Sequence, residues 1–348
     1  MTLDDARALF DVEPGYFNTA SLGVPPRPVL DAVRAGVEAW QRSRASLADY
    51  DEAVDRSRAA FGRLMDVEPE RIAIGATVSS LVGLIAASLP PGAEVLVPEG
   101  EFASVIYPFA AQEPRGVTVR SVPLANLVGS ITDRTTLVAA SVVQSADGTV
   151  LDLDALTSAA RAHSALTVVD GTQACGWLPL SVAEVDFFVA ATYKWLMAPR
   201  GAALLAVHPD RLDEVLPHAA GWYAGADVWG DTIYGLPLRL AESARRLDTS
   251  PVVLAWAGTA PALEFVEQVG VKAIHDYDVT LANRLRAGLG VPAGDSPIVS
   301  VPLPPDAQQR LAAADVRSAV RAGQVRFSCH LYTTDSDVDA ALAAVHRG

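Results

Sequence analysis

The chain has 348 residues, half of them hydrophobic and a fifth charged, a balance that describes a globular protein with a large core and room for two domains. Its formal charge is −14, from 27 basic against 41 acidic side chains with no basic run, which argues against binding nucleic acid through its phosphates. The longest apolar run, Leu81 to Leu89, falls well short of the ~20 residues of a membrane span, and Met1 to Phe10 lacks a basic stretch leading into an apolar one.

In chain order, Thr2–Phe10 and Pro28–Met65 carry apolar residues at three- and four-residue spacing, such as Val29, Val33, Val37 and Trp40, and read as helices. From about residue 71 short β-rich runs take over: Arg71–Ile74, Glu94–Val97, Thr118–Val122, Thr136–Val143, Leu166–Val169, Asp186–Val189 and Ala202–Val207. Helical stretches such as Ser79–Ser88 and Leu153–His163 lie between several of them. Near-continuous apolar strands alternating with helices predict a mostly parallel seven-stranded sheet covered on both faces. Residues 217–237, rich in Gly, Trp and Tyr, read as a long ordered loop. Helices follow at Val252–Val269 and Ile274–Leu289, strands at Ile298–Leu303 and Gln324–Leu331, and helices around 306–321 and 335–346. The expected division is an N-terminal segment 1–20 packing with a small C-terminal α+β domain, 236–348, and a large α/β domain, 21–235.

The 27 basic residues include only two lysines, Lys194 and Lys272, so side-chain amine chemistry has two possible homes. Lys272 opens an amphipathic helix and reads as a solvated surface residue. Lys194 follows the apolar strand Phe187-Phe-Val-Ala-Ala and is flanked by Tyr193 and Trp195. The C-terminal edge of a parallel sheet is where α/β ligand sites lie. A desolvated amine there has a lowered pKa and can condense with a carbonyl; the same context also suits a lysine whose head snorkels out of an apolar surface. Asp170 ends the strand Leu166-Thr-Val-Val-Asp and precedes Gly171-Thr-Gln173. A carboxylate buried at that edge needs a cation or donors, unless it caps a helix. In Ile74-Gly75-Ala76-Thr77-Val78-Ser79 a strand turns into a helix start, a place for a phosphate or for an ordinary turn and cap. Phosphate-loop, zinc-protease, serine-hydrolase and dinucleotide motifs are absent from the sequence. The two cysteines, Cys175 and Cys329, are far apart and show no metal-ligand spacing, so no metal is expected and a reducing cytoplasm fits.

Taken in order, strand–Gly-Ala-Thr–helix, strand–Asp-Gly-x-Gln and strand–x-Tyr-Lys-Trp-Leu resemble the pyridoxal 5'-phosphate (PLP) enzymes of aminotransferase class V. That group contains cysteine desulfurases, selenocysteine lyases, kynureninases and isopenicillin N epimerase-like proteins. Tyr16-Phe-Asn-Thr-Ala-Ser-Leu-Gly23, Glu101-Phe-Ala-Ser-Val-Ile-Tyr-Pro108, Arg245-Arg-Leu-Asp-Thr-Ser-Pro251 and Val325-Arg-Phe-Ser-Cys-His-Leu-Tyr332 resemble further segments of the family, so the likeness spans nearly the whole chain.

The resemblance implies the fold type I architecture of PLP-dependent transferases and a residue-by-residue site. Lys194 would be the Schiff-base lysine and proton shuttle, and Asp170 the partner of the pyridinium nitrogen. Gln173 would reach the ring's phenolic oxygen and Phe102 would stack on the ring. Ala76, Thr77 and Tyr193 would hold the phosphate, with Ser250 reaching it from a second subunit of a homodimer. Arg326 would clamp the carboxylate of a small amino-acid substrate, and Asn18 would line its pocket. The sequence departs from the desulfurase pattern S-x-H-K, having Ala191-Thr-Tyr-Lys, and Thr249 replaces a glycine. Cys329, the one thiol of the small domain, is expected within a strand on the face opposite Arg326 and reads as a packing residue; Cys175 is expected to be buried near the cofactor. This disfavours a sulfur-accepting desulfurase. The expected activity is Cα-proton abstraction from an L-amino acid or amino-acid conjugate, with a carbon–sulfur β-lyase first. Aminotransferase is the alternative, and desulfurase, kynureninase-like hydrolase and epimerase come behind. A PLP-fold binding protein without turnover is the competing class. Trp222, Tyr223, Trp229 and Tyr234 are expected to shape the pocket, cover a dimer seam or pack in the core.

Overall fold

The computed structural model describes residues 1–346. Its helices are α1 (Leu3–Arg7), α2 (Arg27–Gln41), α3 (Leu47–Met65), α4 (Val78–Ser88), α5 (Ala103–Ala110), α6 (Leu153–Ala162), α7 (Val253–Val269), α8 (Val271–Gly288), α9 (Pro305–Ala313) and α10 (Asp335–His346). Seven strands form one sheet: β1 (Ile72–Gly75), β2 (Glu94–Pro98), β3 (Thr118–Val122), β4 (Thr135–Ser141), β5 (Leu166–Asp170), β6 (Phe187–Ala191) and β7 (Ala203–Val207). Their spatial order is β1-β7-β6-β5-β4-β2-β3. Pairing is parallel from β3 across to β6, and β7 is antiparallel to both of its neighbours, so β7 alone runs against the other six.

Apart from the edge strand β3, whose Thr118-Val-Arg-Ser-Val has no buried residue, the strands are largely apolar on both faces because both faces are covered. Ile72, Ile74, Val138, Ala140, Phe188 and Ala190 enter one apolar layer with Phe61 of α3, Leu156 of α6 and Phe265 of α7. The residues between them, Ala73, Leu137, Ala139, Phe187 and Val189, enter the opposite layer with Val82 and Ile85 of α4 and Val105 and Phe109 of α5. A second sheet, β8 (Ile298–Val301), β10 (Gln324–Ser328) and β9 (Ala319–Arg321), is antiparallel in the order β8-β10-β9. It shares a third apolar cluster with α8, α10 and Phe17 from the N-terminal segment. That segment is laced to this sheet: Tyr16 bridges Arg317, Asn18 bridges Ser328, and Gly15 N donates to Asp337 at 2.6 Å. Helix α7 packs against α2 and α3, with Arg56–Glu264 and Arg63–Glu267 ion pairs across the seam.

Several expectations are corrected. The helix expected over Pro28–Met65 is two helices, broken at residues 42–46, where Ser46 caps α3 and Asp49 completes a capping box. The helix expected around 306–321 ends at Ala313, and Ala319–Arg321 is an edge strand. The strand expected to run to Leu331 ends at Ser328, leaving Cys329 beyond it. The terminal helix covers Leu3–Arg7 only, and α5, which begins directly after Phe102, belongs among the helices of the large sheet.

Candidate active site

The C-terminal ends of β1, β2, β4, β5 and β6 converge on a cavity of about 140 Å³. It is lined by Ala76, Thr77, Phe102, Asp170, Gln173, Tyr193 and Lys194, seven of the expected site residues, together with Ser141, Ser145 and Arg200. Each side chain arrives because an apolar strand stops and the chain turns. Asp170 is the last residue of β5, and Thr172 N donates to its Oδ1 at 2.7 Å in a turn, so Asp170 braces a bend and caps no helix. Thr77 is the cap of α4 and accepts from Ser80 N, so the N-terminus of an eleven-residue helix opens beside the cavity.

Lys194 is only 6 % exposed. Its turn is held from four sides. Gly23 N donates to Tyr193 O at 2.9 Å, and a Cβ on Gly23 would sit 1.9 Å from Lys194 O. Met197, at φ 55°, donates from N to Lys194 O at 3.0 Å. Trp195 Nε1 donates to Gln173 Oε1 at 2.8 Å. The Trp195 carbonyl lies 3.1 Å from His330 Nε2, and His330 Nδ1 lies 2.7 Å from Asp278 Oδ2, both side chains fully buried. The run from Trp195 O through His330 to Asp278 ties the Lys194 turn to α8.

Burial pushes the Lys194 amine down from 10.5 to about 8; the Asp170 charge opposes this, and Arg326, Arg321 and Arg200 add to it. Burial raises Asp170 from 3.8 to about 6, against the Thr172 hydrogen bonds and the Lys194 charge, with Glu101 adding to the rise. The amine stands 5.3 Å from the Phe102 ring centroid and 5.9 Å from that of Tyr193. Phe102 is 44 % exposed, so it presents an open face at the site and is not part of the core. Such a slot, with a free amine, a carboxylate, an aromatic face and a capped helix start, can hold a flat anionic carbonyl compound and form an imine with it.

Three expected residues do not line the cavity. Arg326 is buried on β10 and meets a wall residue: its Nη1 donates to Ser145 O at 2.5 Å and Oγ at 3.1 Å, and its Nη2 to Ser21 Oγ at 2.9 Å. Asn18 lies in the segment laced to β10, its buried Oδ1 without a partner. Ser250 is exposed on this chain, in a stretch fastened to β1 by Asp248, which pairs with the buried Arg58 and accepts from Ile74 N at 2.8 Å. The Gln173 amide is engaged by Trp195, Ala20 O and Ser145 Oγ.

Sequence reasoning missed Arg200, whose guanidinium sits 4.8 Å over the Tyr193 ring, and Glu101, which accepts from Phe102 N, Ser141 N, Ser141 Oγ and Gln144 Nε2. Arg200 follows Lys194 by six residues, and Glu101 opens the segment Glu101–Pro108, one residue before Phe102. Lys272 is a surface residue paired with Asp276 at 2.7 Å. Burial raises both thiols, Cys175 and Cys329, far above the ordinary range. Of the aromatic loop, Tyr223 is buried and bonds Asp51, as does Trp229 Nε1, while Tyr234 is exposed; none lines the cavity. No helix among the described residues is long and apolar enough to cross a membrane, and no cluster of His, Cys, Asp and Glu among them suits a metal.

Comparison with known proteins gives a consistent picture. The family model described as aminotransferase class-V matches residues 26–294. Isopenicillin N epimerase of Streptomyces clavuligerus is 28 % identical over an alignment covering 97 % of this chain and 96 % of that protein. The solved complex of the cystine C–S lyase C-DES with its product cysteine persulfide superposes with a TM-score of 0.86 at 25 % identity, covering 96 % of this chain and 97 % of the other. The apo cysteine desulfurase of Thermococcus onnurineus shares the fold, with a TM-score of 0.85 at 21 % identity over 99 % of this chain and 97 % of that one.

Proposed function

The chain belongs to the aminotransferase class-V family and is an enzyme, and from that premise we propose that it is a PLP-dependent carbon–sulfur β-lyase acting on an L-amino acid. The residues at the strand ends fit the cofactor. Asp170 keeps one carboxylate oxygen for a ring N–H, Phe102 offers a stacking face, the capped start of α4 with Thr77 and Ala76 suits a phosphate beside Tyr193, and Lys194 supplies the amine. When bound, PLP supplies a carbonyl for imine formation and a ring that accepts electrons from Cα.

The chain's own side chains do the rest. Asp170 keeps the ring nitrogen protonated. Gln173, braced by Trp195 and Ala20 O, would reach the ring oxygen by turning to it the N–H that now meets Ser145 Oγ. Arg326 holds the substrate carboxylate, its planar fork matching two oxygens, and Asn18 lies beside it. Lys194 would take the Cα proton at Nζ, and a pKa lowered to about 8 suits it to accepting and returning a proton. Ser250 completes the phosphate site from a partner subunit in a homodimer. In β-elimination the Cα–H and Cβ–S bonds break, the sulfur leaves as a thiol, and water converts the remaining enamine to a keto acid and ammonia.

The observation that carries this branch is the state of the thiols. A persulfide-forming desulfurase needs a nucleophilic thiolate, and both cysteines are buried with raised pKa values. The C–S lyase likeness supports the same branch. A second reading, epimerisation at Cα, rests on the full-length similarity to isopenicillin N epimerase. Incubation of the holoenzyme with cystine and S-substituted cysteines tests the proposal. Equal amounts of ammonia, keto acid and thiol, or of persulfide where cystine is the substrate, without an added keto acid support it. A strict need for a keto acid acceptor means transamination, alanine with sulfide means desulfuration, and loss of optical activity without ammonia means epimerisation; each overturns it.

A further inference from the structure

We propose that the substrate is an α-amino acid bearing a second acidic group, and that Arg321 is the residue that selects it; the inference rests on the reading of the cavity as an amino-acid site. Three arginines, Arg326, Arg321 and Arg200, bear electrostatically on the Lys194 amine, and of them Arg200 lines the cavity. Many arginines of this acidic chain meet carboxylates, as Arg56, Arg58, Arg63, Arg211 and Arg284 do, and several others, such as Arg71, Arg115 and Arg286, spend their donors on backbone carbonyls. Among the described residues these three have no carboxylate within 4.0 Å.

Arg326 and Arg321 are neighbours by register. β10 and β9 pair antiparallel, with Arg326 opposite Ala319 and Gln324 opposite Arg321. Both terminal Nη2 atoms donate to one oxygen, Ser21 Oγ, at 2.9 and 3.2 Å, so the two cations stand at most about 6 Å apart. Their other acceptors are also neutral: Ser145 for Arg326 and the Val320 carbonyl for Arg321. The buried Nε of Arg326 has no partner. Burial and the neighbouring Arg321 charge together bring Arg326 down to about 10. Two guanidinium groups this close, one buried and both without an acid, form a cationic pair that a bound anion stabilises.

The acids at the cavity do not supply that charge. Glu101 is occupied by four donors and Asp170 lies on the cofactor side. The phosphate belongs at the α4 start, the side of Tyr193 and Arg200. The α-carboxylate belongs to Arg326. An amino acid with a neutral side chain would leave Arg321 unmatched. Arg321 is exposed at the edge strand, so a distal carboxylate, sulfinate or sulfonate reaches it on the solvent side, within one short molecule of the Arg326 clamp.

Amine-free acids test this by binding alone, because they cannot be turned over. On purified holoprotein, calorimetry is expected to show succinate binding about tenfold more tightly than butyrate, which has the same carbon count. Arg321→Gln is expected to bring that ratio to about one while leaving butyrate within about twofold. Arg326→Gln should weaken both acids, and Arg42→Gln, on a distant exposed helix end, should change neither. Equal affinities in the wild type, no saturable binding of either acid, or a ratio that survives Arg321→Gln overturns the proposal. Failure of the catalytic reading is separate: it shows in the products formed from cystine and S-substituted cysteines, whereas the acid series reads binding alone.

Discussion

The Lys194 amine is the most quantitative handle on the site. Lowering it from 10.5 to about 8 multiplies its uncharged fraction at pH values below 8 by about 300, equivalent to about 3 kcal/mol against the charged form. Because burial dominates and Asp170 opposes it, the perturbations have opposite signs: Asp170→Asn should move the midpoint below 8, and Arg326→Gln should move it above. The folded chain releases this proton near pH 8 and the unfolded chain near 10.5. Between those values the unfolded state binds more protons, so stability of the cofactor-free protein should rise with pH by up to ~3 kcal/mol from this group. Two lysines make the assay simple. Reductive methylation with ¹³C-formaldehyde labels only Lys194, Lys272 and the α-amine, and Lys272→Arg assigns the signals by difference. A Lys194 resonance titrating at 10 or above in the folded cofactor-free protein, or one unmoved by Asp170→Asn, would refute the burial argument.

Asp278 and His330 should behave as a coupled buried polar pair: Asp278→Leu or His330→Leu alone strands its partner and is expected to lose about 1–3 kcal/mol in denaturant unfolding, and the double variant less than the sum. Gly23→Ala should abolish cofactor retention because its Cβ collides with the Lys194 carbonyl, whereas Gly83→Ala, with open space in mid-helix, should be neutral or stabilise by about 0.5 kcal/mol in thermal melts. Cys175→Ala and Cys329→Ala should each keep kcat within about threefold; loss of turnover in either with the fold intact would restore a persulfide mechanism.

Legibility followed locality. Most of the seven strands were readable because a sheet covered on both faces needs unbroken apolar runs, and Asp170, Thr77 and Lys194 because each lies at or within three residues of the end of such a run. The break before Ser46 was hidden by continuing helical periodicity, though the Ser46-x-x-Asp49 capping box marked it. Strand β9 is three residues at an exposed edge, too short for a period to register. Helix α5 carries Pro108 inside it, which masks its pattern. What holds Lys194 in place was not readable at all: Gly23, Gln173 and His330 come from segments far apart in the chain and meet only after folding. Arg321 belongs with them, since its nearness to Arg326 depends on strand register.

The central claim is that one of two lysines carries the cofactor. Borohydride reduction of the purified holoprotein followed by peptide mapping should place the whole pyridoxyl label on the peptide containing Lys194, with Lys272→Ala unchanged and Lys194→Ala unlabelled. Label on Lys272, or a full label in Lys194→Ala, would contradict the account.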